Sequence, residues 1–370
     1  MCIKNKLYDK IFGSVIGGPI GDAMGGPIET MHYKFIRELY NGRITDIKPY
    51  NRPEDFSQPR INSSYAWNNQ AGTYTDDSYF HTLITKAIIQ KNGRITAEDL
   101  GAVWINEMDP NRAWYSMKNS YYKLMYTTIP AREIGFGNIQ ENCSPMCIGS
   151  IGIINACNPA QAALDAYEVS SLIHEGYARE SAGAIAAAVA EAMRPFATVE
   201  SIVESAITYL PNGKYSKMYN YLNLAIELAD KARDTEELTE IFYEKLNIDW
   251  TSRRRPIEED GRHSIGINPC ESATCAIAMF YKSKGDPQET IISSANYGRD
   301  CDTIACMAGY ITGAFKGASA FPRKWIDDVL NANPEPDINI LAKDLYKALL
   351  AENNRSLSRL HEIESLEKTI

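Results

Sequence analysis

The segment that most constrains this chain places two carboxylates and a hydroxyl, Asp300, Asp302 and Thr303, directly in front of an apolar run. The run from residue 304 to 317 is rich in Ala, Gly and Ile with almost no charge, which predicts a helix in the protein core. A carboxylate at the edge of a core is costly unless it is paired, hydrogen-bonded or bound to a metal. The segment therefore indicates either an Asp/Thr helix cap or a hard cation, Mg²⁺ or Mn²⁺, with oxygen ligands.

A second cluster of the same kind favours the metal interpretation. Thr75, Asp76 and Asp77 precede another apolar helical run, which begins at Tyr79. A helix cap explains one acid at a helix start, but it does not explain two neighbouring acids beside hydroxyl groups. Two such clusters can supply about six oxygen ligands, which is enough for two divalent cations.

The composition excludes some classes of function. The chain has 370 residues and a formal net charge of −9, and it carries no basic stripe, which argues against nucleic-acid binding because phosphate contacts need clustered Lys and Arg. We find no apolar run of transmembrane length and no signal-peptide pattern, and we expect a cytoplasmic protein without a membrane partner. The eight cysteines lack the close pairing of a zinc site, so we expect buried free thiols in a reducing compartment.

Helical periodicity dominates the chain and predicts one all-α, compact, multi-helix domain over residues 1–370. Two helices are predicted between 160 and 193, the second from Ser181 to Met193, and others at 201–210, 218–232, 235–246 and 270–281. An amphipathic helix from about 338 to 351 begins a C-terminal helical extension, 338–370. Strand-like alternation is scarce, and neither a repeat nor a linker divides the chain.

Two long segments without helical periodicity are candidates for site-forming loops. Residues 43–72 contain three prolines and precede the second acidic cluster, so we expect this segment to border the metal site and to act as a lid. Residues 129–147 contain Gly135, Phe136, Gly137 and Asn138. Glycines at alternate positions permit positive φ and let backbone N–H groups approach an anion, which indicates either a diphosphate- or ribose-binding loop or a tight turn.

A third motif carries a resemblance to a known family. Residues 13–29 read Gly-Ser-Val-Ile-Gly-Gly-Pro-Ile-Gly-Asp-Ala-Met-Gly-Gly-Pro-Ile-Glu. This segment resembles the N-terminal signature of the ADP-ribosylglycohydrolase family, which includes the dinitrogenase reductase-activating glycohydrolases and crystallin J1-type members. The two acidic clusters match the family's metal-binding motifs in order and separation. The resemblance covers about residues 13–322.

The resemblance implies a mostly helical fold with two divalent cations, Mg²⁺ or Mn²⁺, in an acidic cleft. By motif, one cation is expected to bind Thr75, Asp76 and Asp77, the other Asp300 and Thr303, and both Asp302. The implied reaction is hydrolysis of the glycosidic bond at C1 of an ADP-ribosyl group, through an oxocarbenium-like ribose. Glu29 matches an acidic residue that lies near the metals in the family. The resemblance therefore implies four catalytic residues: Glu29, Asp76, Asp77 and Asp302. Without the resemblance, Glu29 is a surface glutamate at a helix end.

The resemblance also implies substrate contacts. His174 follows a long helix where the family keeps a histidine, which implies a contact to a phosphate or the distal ribose; without the resemblance it is a core histidine. Tyr177 and Phe136 are candidates for stacking on a base, although aromatic residues at helix ends are usually packing. Asn142 opens the segment that corresponds to the family's diphosphate loop.

That loop departs from the family pattern. Many members read Asn-Gly-x-x-Met-Arg, whereas Cys143 and Cys147 replace the glycine and the arginine here. Three hypotheses follow: a hydrolase of ADP-ribosylated protein or a small ADP-ribosyl compound, a hydrolase of a small N-riboside or nucleoside, and a non-catalytic binding or structural homologue. A protein substrate needs an open cleft, whereas residues 43–72 and the tyrosine-rich segment 114–126 could cover it.

Overall fold

The core is built around two helices that pack along each other. In the computed structural model, which describes residues 5–50, 68–246, 264 and 266–367, helix α1 (Lys6–Gly25) packs against the helix Cys301–Lys316. Both helices are buried over most of their length. The apolar run that follows the first acidic cluster therefore lies in the core, as the sequence predicts.

The remaining elements are also helical. The first half of the chain contains α2 (Tyr33–Leu39), α3 (Asp76–Lys91), α4 (Ala97–Glu107), α5 (Tyr115–Tyr126), α6 (Cys143–Met146), α7 (Gly149–Ile154) and α8 (Pro159–Val169). The second half contains α9 (Tyr177–Ala192), α10 (Val199–Thr208), α11 (Lys217–Lys231), α12 (Thr235–Lys245), α13 (Pro269–Lys282), α14 (Pro287–Ala295), α15 (Cys301–Lys316), α16 (Arg323–Ala332) and α17 (Ile338–Glu367). The described residues contain no β-sheet, only an isolated antiparallel bridge between His32 and Gly298. The predicted all-α class is confirmed.

Glycines let the backbones of α1 and α15 come into contact. They recur every four residues on α1 from Gly13 to Gly25. A Cβ atom at Gly17 would lie 2.4 Å from the carbonyl oxygen of Gly309, and one at Gly25 would lie 2.4 Å from the Cα atom of Asp302. No side chain fits between the two helices at these points. The glycine-rich motif thus holds the start of α15 beside the end of α1.

Helix α9 is a second buried element, which packs on α8, α10, α7 and α15. Its alanines are completely buried, because small side chains let several helices surround it. The sequence places its start at Ser181, whereas the helix begins at Tyr177. The preceding Gly176 has φ +61°, a conformation that favours glycine and ends the previous turn.

Helix α17 runs from Ile338 to Glu367 through the C-terminal extension, and Leu357, Leu360 and Leu366, beyond its amphipathic part, are exposed. One other expectation differs from the structure. Residues 129–147 are not free of helix, because they include a 3₁₀ turn at Ala131–Glu133 and the single turn of α6, which are too short for periodicity to reveal.

Of the expected lid, residues 43–50 and 68–72 are non-helical and residues 51–67 lie outside the described ranges. None of the described helices is both long and apolar enough to cross a membrane.

Candidate metal centre

The second acidic cluster lies at the start of α3. Thr75 is the N-cap residue, Asp76 and Asp77 occupy the first turn, and all three are buried. The Thr75 side chain accepts no hydrogen bond from the helix; its hydroxyl instead donates to Oδ2 of Asp77 at 3.2 Å. Helix capping therefore does not account for this cluster.

Asp22 of α1 provides the cap that Thr75 does not. One of its carboxylate oxygens accepts from the amide of Thr75 at 2.9 Å, and the other from the amide and hydroxyl of Ser78 at 3.1 and 2.6 Å. Asp22 is completely buried, and burial raises its pKa to about 6 in spite of these bonds. Asp22 belongs to the glycine-rich motif 13–29, but its capping role could not be predicted because its partners lie 53 and 56 residues further along. Asp22 thereby fixes the turn that carries the two acids of α3.

The cluster at the start of α15 is not a helix cap either. Asp300 is the N-cap residue and its side chain makes no capping bond, while Asp302 and Thr303 lie in the first turn. The side-chain amide of Asn142 donates to Oδ2 of Asp300 at 2.6 Å. Asn142 therefore orients a carboxylate of the candidate metal site, a contact that the sequence did not predict.

The two helix starts and the turn after α1 bring five of the predicted residues together. Glu29, Asp300 and Asp302 each place a carboxylate oxygen within 4.8 Å of the others. The Thr303 side chain interacts with the Asp77 carboxylate and opposes the rise in its pKa, which connects the two clusters. The Oδ1 atoms of Asp77 and Asp302 are buried without a hydrogen-bond partner. Buried polar atoms are normally satisfied, so these two oxygens mark a place where a cation fits.

Burial and mutual repulsion make these acids hard to ionise in the absence of a cation. The pKa values of Asp76, Asp77 and Asp302 are raised well above the usual range, primarily by burial. For Asp76 and Asp302 the charge of Glu29 is the next largest cause. Burial, and then Glu29, raises the pKa of Asp300 to about 7. Because metal ligands must be deprotonated, cation binding here is expected to release protons.

The predicted substrate loop is anchored next to His174. The amide of Gly135 donates to the carbonyl oxygen of Ser171 at 2.9 Å. Nδ1 of His174 lies 2.6 Å from the hydroxyl of Ser144, whereas its Nε2 atom is buried without a partner. Burial lowers the His174 pKa to about 3, so the ring is neutral near pH 7. The structure thus shows a buried histidine whose Nε2 atom has no hydrogen-bond partner.

The other predicted contact residues differ in exposure. The amide of Asn138 is buried and donates to the Ser120 hydroxyl at 2.9 Å and to the carbonyl of Ile173 at 2.7 Å, so it holds the loop in place. Phe136 is 75% exposed. Gly137 has φ +78° and is exposed at the tip of the turn. Tyr177 is half-buried, and among the described residues it makes no hydrogen bond to the candidate metal ligands.

Buried groups occupy the segment that departs from the family pattern. Cys147, at the position of the family arginine, is buried, and its thiol donates to the carbonyl of Cys143 at 3.3 Å. Glu141, which the sequence did not single out, accepts from the indole of Trp114 at 2.5 Å and from the amide of Ser116 at 3.2 Å. The segment 141–147 therefore carries a buried carboxylate, that of Glu141, and no arginine.

The all-α fold is the one that the sequence resemblance implies, and comparison with known proteins supports the same family. The sequence model of the ADP-ribosylglycohydrolase family matches residues 3–355. The chain belongs to the ADP-ribosylglycohydrolase family.

Individual relatives match either most of this chain or only a third of it. The uncharacterized protein YegU of Escherichia coli K12 is 24% identical over 365 residues, 93% of this chain and 97% of that protein. Human ADP-ribosylhydrolase ARH3 is 31% identical over 133 residues, only 33% of this chain and 35% of that protein. A solved structure described as an ADP-ribosylglycohydrolase-related protein complex has a TM-score of 0.61 at 17% identity, and the match covers 93% of this chain and 99% of that one. This likeness supports the fold alone.

Proposed function

We propose that this protein is a metal-dependent hydrolase that cleaves the glycosidic bond at C1 of an ADP-ribosyl group. Membership of the family supports ADP-ribosyl hydrolysis as the reaction class. The observation that carries the proposal is the convergence of Glu29, Asp300 and Asp302 within 4.8 Å, beside the unpartnered buried oxygens of Asp77 and Asp302. Such a group of acids is costly in a protein interior unless protons or a cation compensate for the charge.

The oxygen ligands of the cluster suit two hard divalent cations, Mg²⁺ or Mn²⁺. We assign one cation to Thr75, Asp76 and Asp77, the other to Asp300 and Thr303, and both to Asp302. When bound, such ions hold ribose hydroxyls and lower the pKa of water.

The chain's own residues provide orientation and proton transfer. Asp22 holds the start of α3 through two backbone amides, and Asn142 holds the carboxylate of Asp300. Glu29 is only partly buried, so its carboxylate can reach both the acidic cluster and a water in the cleft. We assign Glu29 the role of accepting a proton from the attacking water, which requires hydrogen-bond reach to that water.

The substrate contacts are also part of the proposal. The exposed ring of Phe136 and the half-buried ring of Tyr177 are assigned to the base, and the free Nε2 atom of His174 to a phosphate or the distal ribose. Gly135, Gly137 and Asn138 are assigned the role of shaping this loop, because the amides of Gly135 and Asn138 already donate to the carbonyls of Ser171 and Gly135, at 2.9 and 3.2 Å. The partner is an ADP-ribosylated protein or a small ribosyl compound. A cytoplasmic location fits the absence of disulfides among the described residues, where the cysteine thiols are buried except for that of Cys157.

One observation favours a second candidate function, hydrolysis of a small N-riboside or nucleoside. The position of the family arginine holds the buried thiol of Cys147, which cannot contact a diphosphate with a charge. A charge-assisted hydrogen bond to a phosphate is worth about 1.5–3 kcal/mol. The metal and ribose half of the site does not depend on this position.

A hydrolysis panel tests both functions at once. It contains ADP-ribosyl-arginine, ADP-ribosyl-serine, O-acetyl-ADP-ribose and several nucleosides, with Mg²⁺ or Mn²⁺ and with EDTA. We expect release of ADP-ribose from at least one of the first three and loss of this activity in EDTA. Hydrolysis of nucleosides alone would favour the second function, and no turnover with either metal would favour a non-catalytic homologue. The exposed-site variant Asp327→Asn is a control for charge removal outside the cleft.

A further inference from the structure

The turn before Asp300 has an unusual backbone. Gly298 and Arg299 have φ values of +77° and +57°, so two consecutive residues are in the left-handed region. Glycine adopts this region readily, but an arginine there is strained and needs other contacts to hold it.

The Arg299 side chain makes those contacts in the interior. Its guanidinium pairs with the carboxylate of Glu271, at the start of α13, and its Nε atom donates to the Ser264 hydroxyl at 3.1 Å. The guanidinium carbon lies 4.2 Å from the ring centre of Tyr243. Glu271 is completely buried and also accepts from the Tyr297 hydroxyl at 2.8 Å. The ion pair is therefore fixed on several sides.

The backbone of Arg299 is in turn joined to the segment that follows Glu29. The amide of Thr30 donates to the carbonyl of Arg299 at 2.6 Å, and the amide of Arg299 donates to the carbonyl of Met31 at 2.8 Å. The amide of Ser264 donates to the carbonyl of Thr30 at 2.9 Å. One residue thus connects the buried ion pair, the turn that carries Asp300 and the segment that carries Glu29.

We propose that the Arg299–Glu271 pair is a clamp that positions the Glu29 carboxylate against Asp300 and Asp302. The clamp rests on the proposed metal-dependent function, because it acts on the acidic cluster assigned to the cations. Arg299 and Glu271 are positioning residues and do not contact the substrate. Their effect on metal binding is expected to pass through Glu29.

A double-mutant cycle tests this route. The clamp is removed by Arg299→Gly, which suits the positive φ, combined with Glu271→Gln, which leaves no unpaired buried charge. Mn²⁺ affinity is measured by calorimetry for the wild type, Glu29→Gln, the clamp variant and their combination. Loss of Glu29 or of the clamp is expected to weaken Mn²⁺ binding by about tenfold each. The protein that combines both changes is expected to bind Mn²⁺ at most about twofold more weakly than Glu29→Gln or the clamp variant, since both changes remove the same contribution.

Two results would overturn the clamp: wild-type Mn²⁺ affinity in the clamp variant, or losses that multiply to about a hundredfold in the combined protein. If the clamp variant does not fold, Glu271→Gln alone, which preserves side-chain volume, replaces it in the cycle. The matched control is Glu191→Gln, which removes a carboxylate paired with Arg194 away from the cluster. Intact Mn²⁺ binding without hydrolysis of any panel substrate would contradict the proposed function and leave the cycle valid.

Hydrogen exchange in the metal-free protein gives a readout that does not depend on metal binding. The amide of Thr30 donates across the bridge between the two segments, so it is expected to exchange about tenfold faster or more in the clamp variant. Amides inside α9 are expected to keep their wild-type rates. Unchanged exchange of the Thr30 amide would overturn the clamp even in a protein that binds no Mn²⁺.

Discussion

Replacing Asp302 by asparagine is expected to weaken divalent-cation binding by about a hundredfold or more. Asp302 is the residue assigned to both cations, its Oδ1 atom is buried without a partner, and its carboxylate lies within 4.8 Å of Glu29 and Asp300. Calorimetric titration with Mn²⁺ measures the loss. Asp327→Asn, on the exposed face of α16, is expected to bind Mn²⁺ as the wild type does.

The stability of the metal-free variant separates ligand loss from unfolding. Burial raises the pKa of Asp302 above its unfolded value, so stability present below the unfolded pKa is lost as pH rises through the folded pKa. An asparagine at this position does not ionise, so the variant does not lose stability in this way as the pH rises. Metal-free Asp302→Asn is therefore expected to unfold at a temperature at or above that of the metal-free wild type near pH 7. A folded variant that still binds two Mn²⁺ ions with wild-type affinity would contradict the assignment.

The largest effect on stability is expected for Gly309→Ala. A Cβ atom at this position would lie 2.0 Å from the carbonyl oxygen of Gly17, and backbone cannot move aside as a flexible side chain can. We expect a loss of about 3 kcal/mol or more in the free energy of unfolding, or failure to fold, because the α1–α15 contact must open. Chemical denaturation followed by circular dichroism measures this loss.

A second helical glycine provides the control for that change. At Gly101 in α4 the nearest atom to an added Cβ is that of Ala131, at 3.3 Å. Alanine is favoured over glycine in a helix by about 1 kcal/mol, so Gly101→Ala is expected to stay within that range of the wild type. Equal stability of the two variants would contradict the close helix contact.

The acidic clusters could be recognised from the sequence because their residues are neighbours in it. Thr75 to Asp77 and Asp300 to Thr303 each lie within four positions, next to an apolar run with helical periodicity. The all-α class followed from the same periodicity and is confirmed. The roles of these residues in binding and catalysis remain predictions.

The supporting contacts could not be predicted because they join distant parts of the chain. Asp22 caps a helix that begins more than fifty residues later, and Asn142 reaches Asp300 across 158 positions. Arg299 and Glu271 lie 28 residues apart, and neither carries a local pattern that predicts an ion pair. Glycines on α1 were recognised as a family motif, whereas their role in helix contact depends on a partner helix almost three hundred residues away.

Short elements were missed for a different reason. The single turn of α6 and the 3₁₀ turn Ala131–Glu133 are shorter than the window in which periodicity is visible. The amphipathic pattern of α17 stops near residue 351, because the exposed part of the helix beyond it has no buried face to give a pattern.

We propose that the starts of α3 and α15 together bind divalent cations. Anomalous diffraction from crystals grown with Mn²⁺ tests it most directly, because the ion positions are located independently of any assay. We expect two peaks, one beside Thr75, Asp76 and Asp77 and one beside Asp300 and Thr303, with Asp302 within coordination distance of both, about 2–2.6 Å. A well-ordered crystal with Mn²⁺ in solution and no peak beside Asp302 would contradict it.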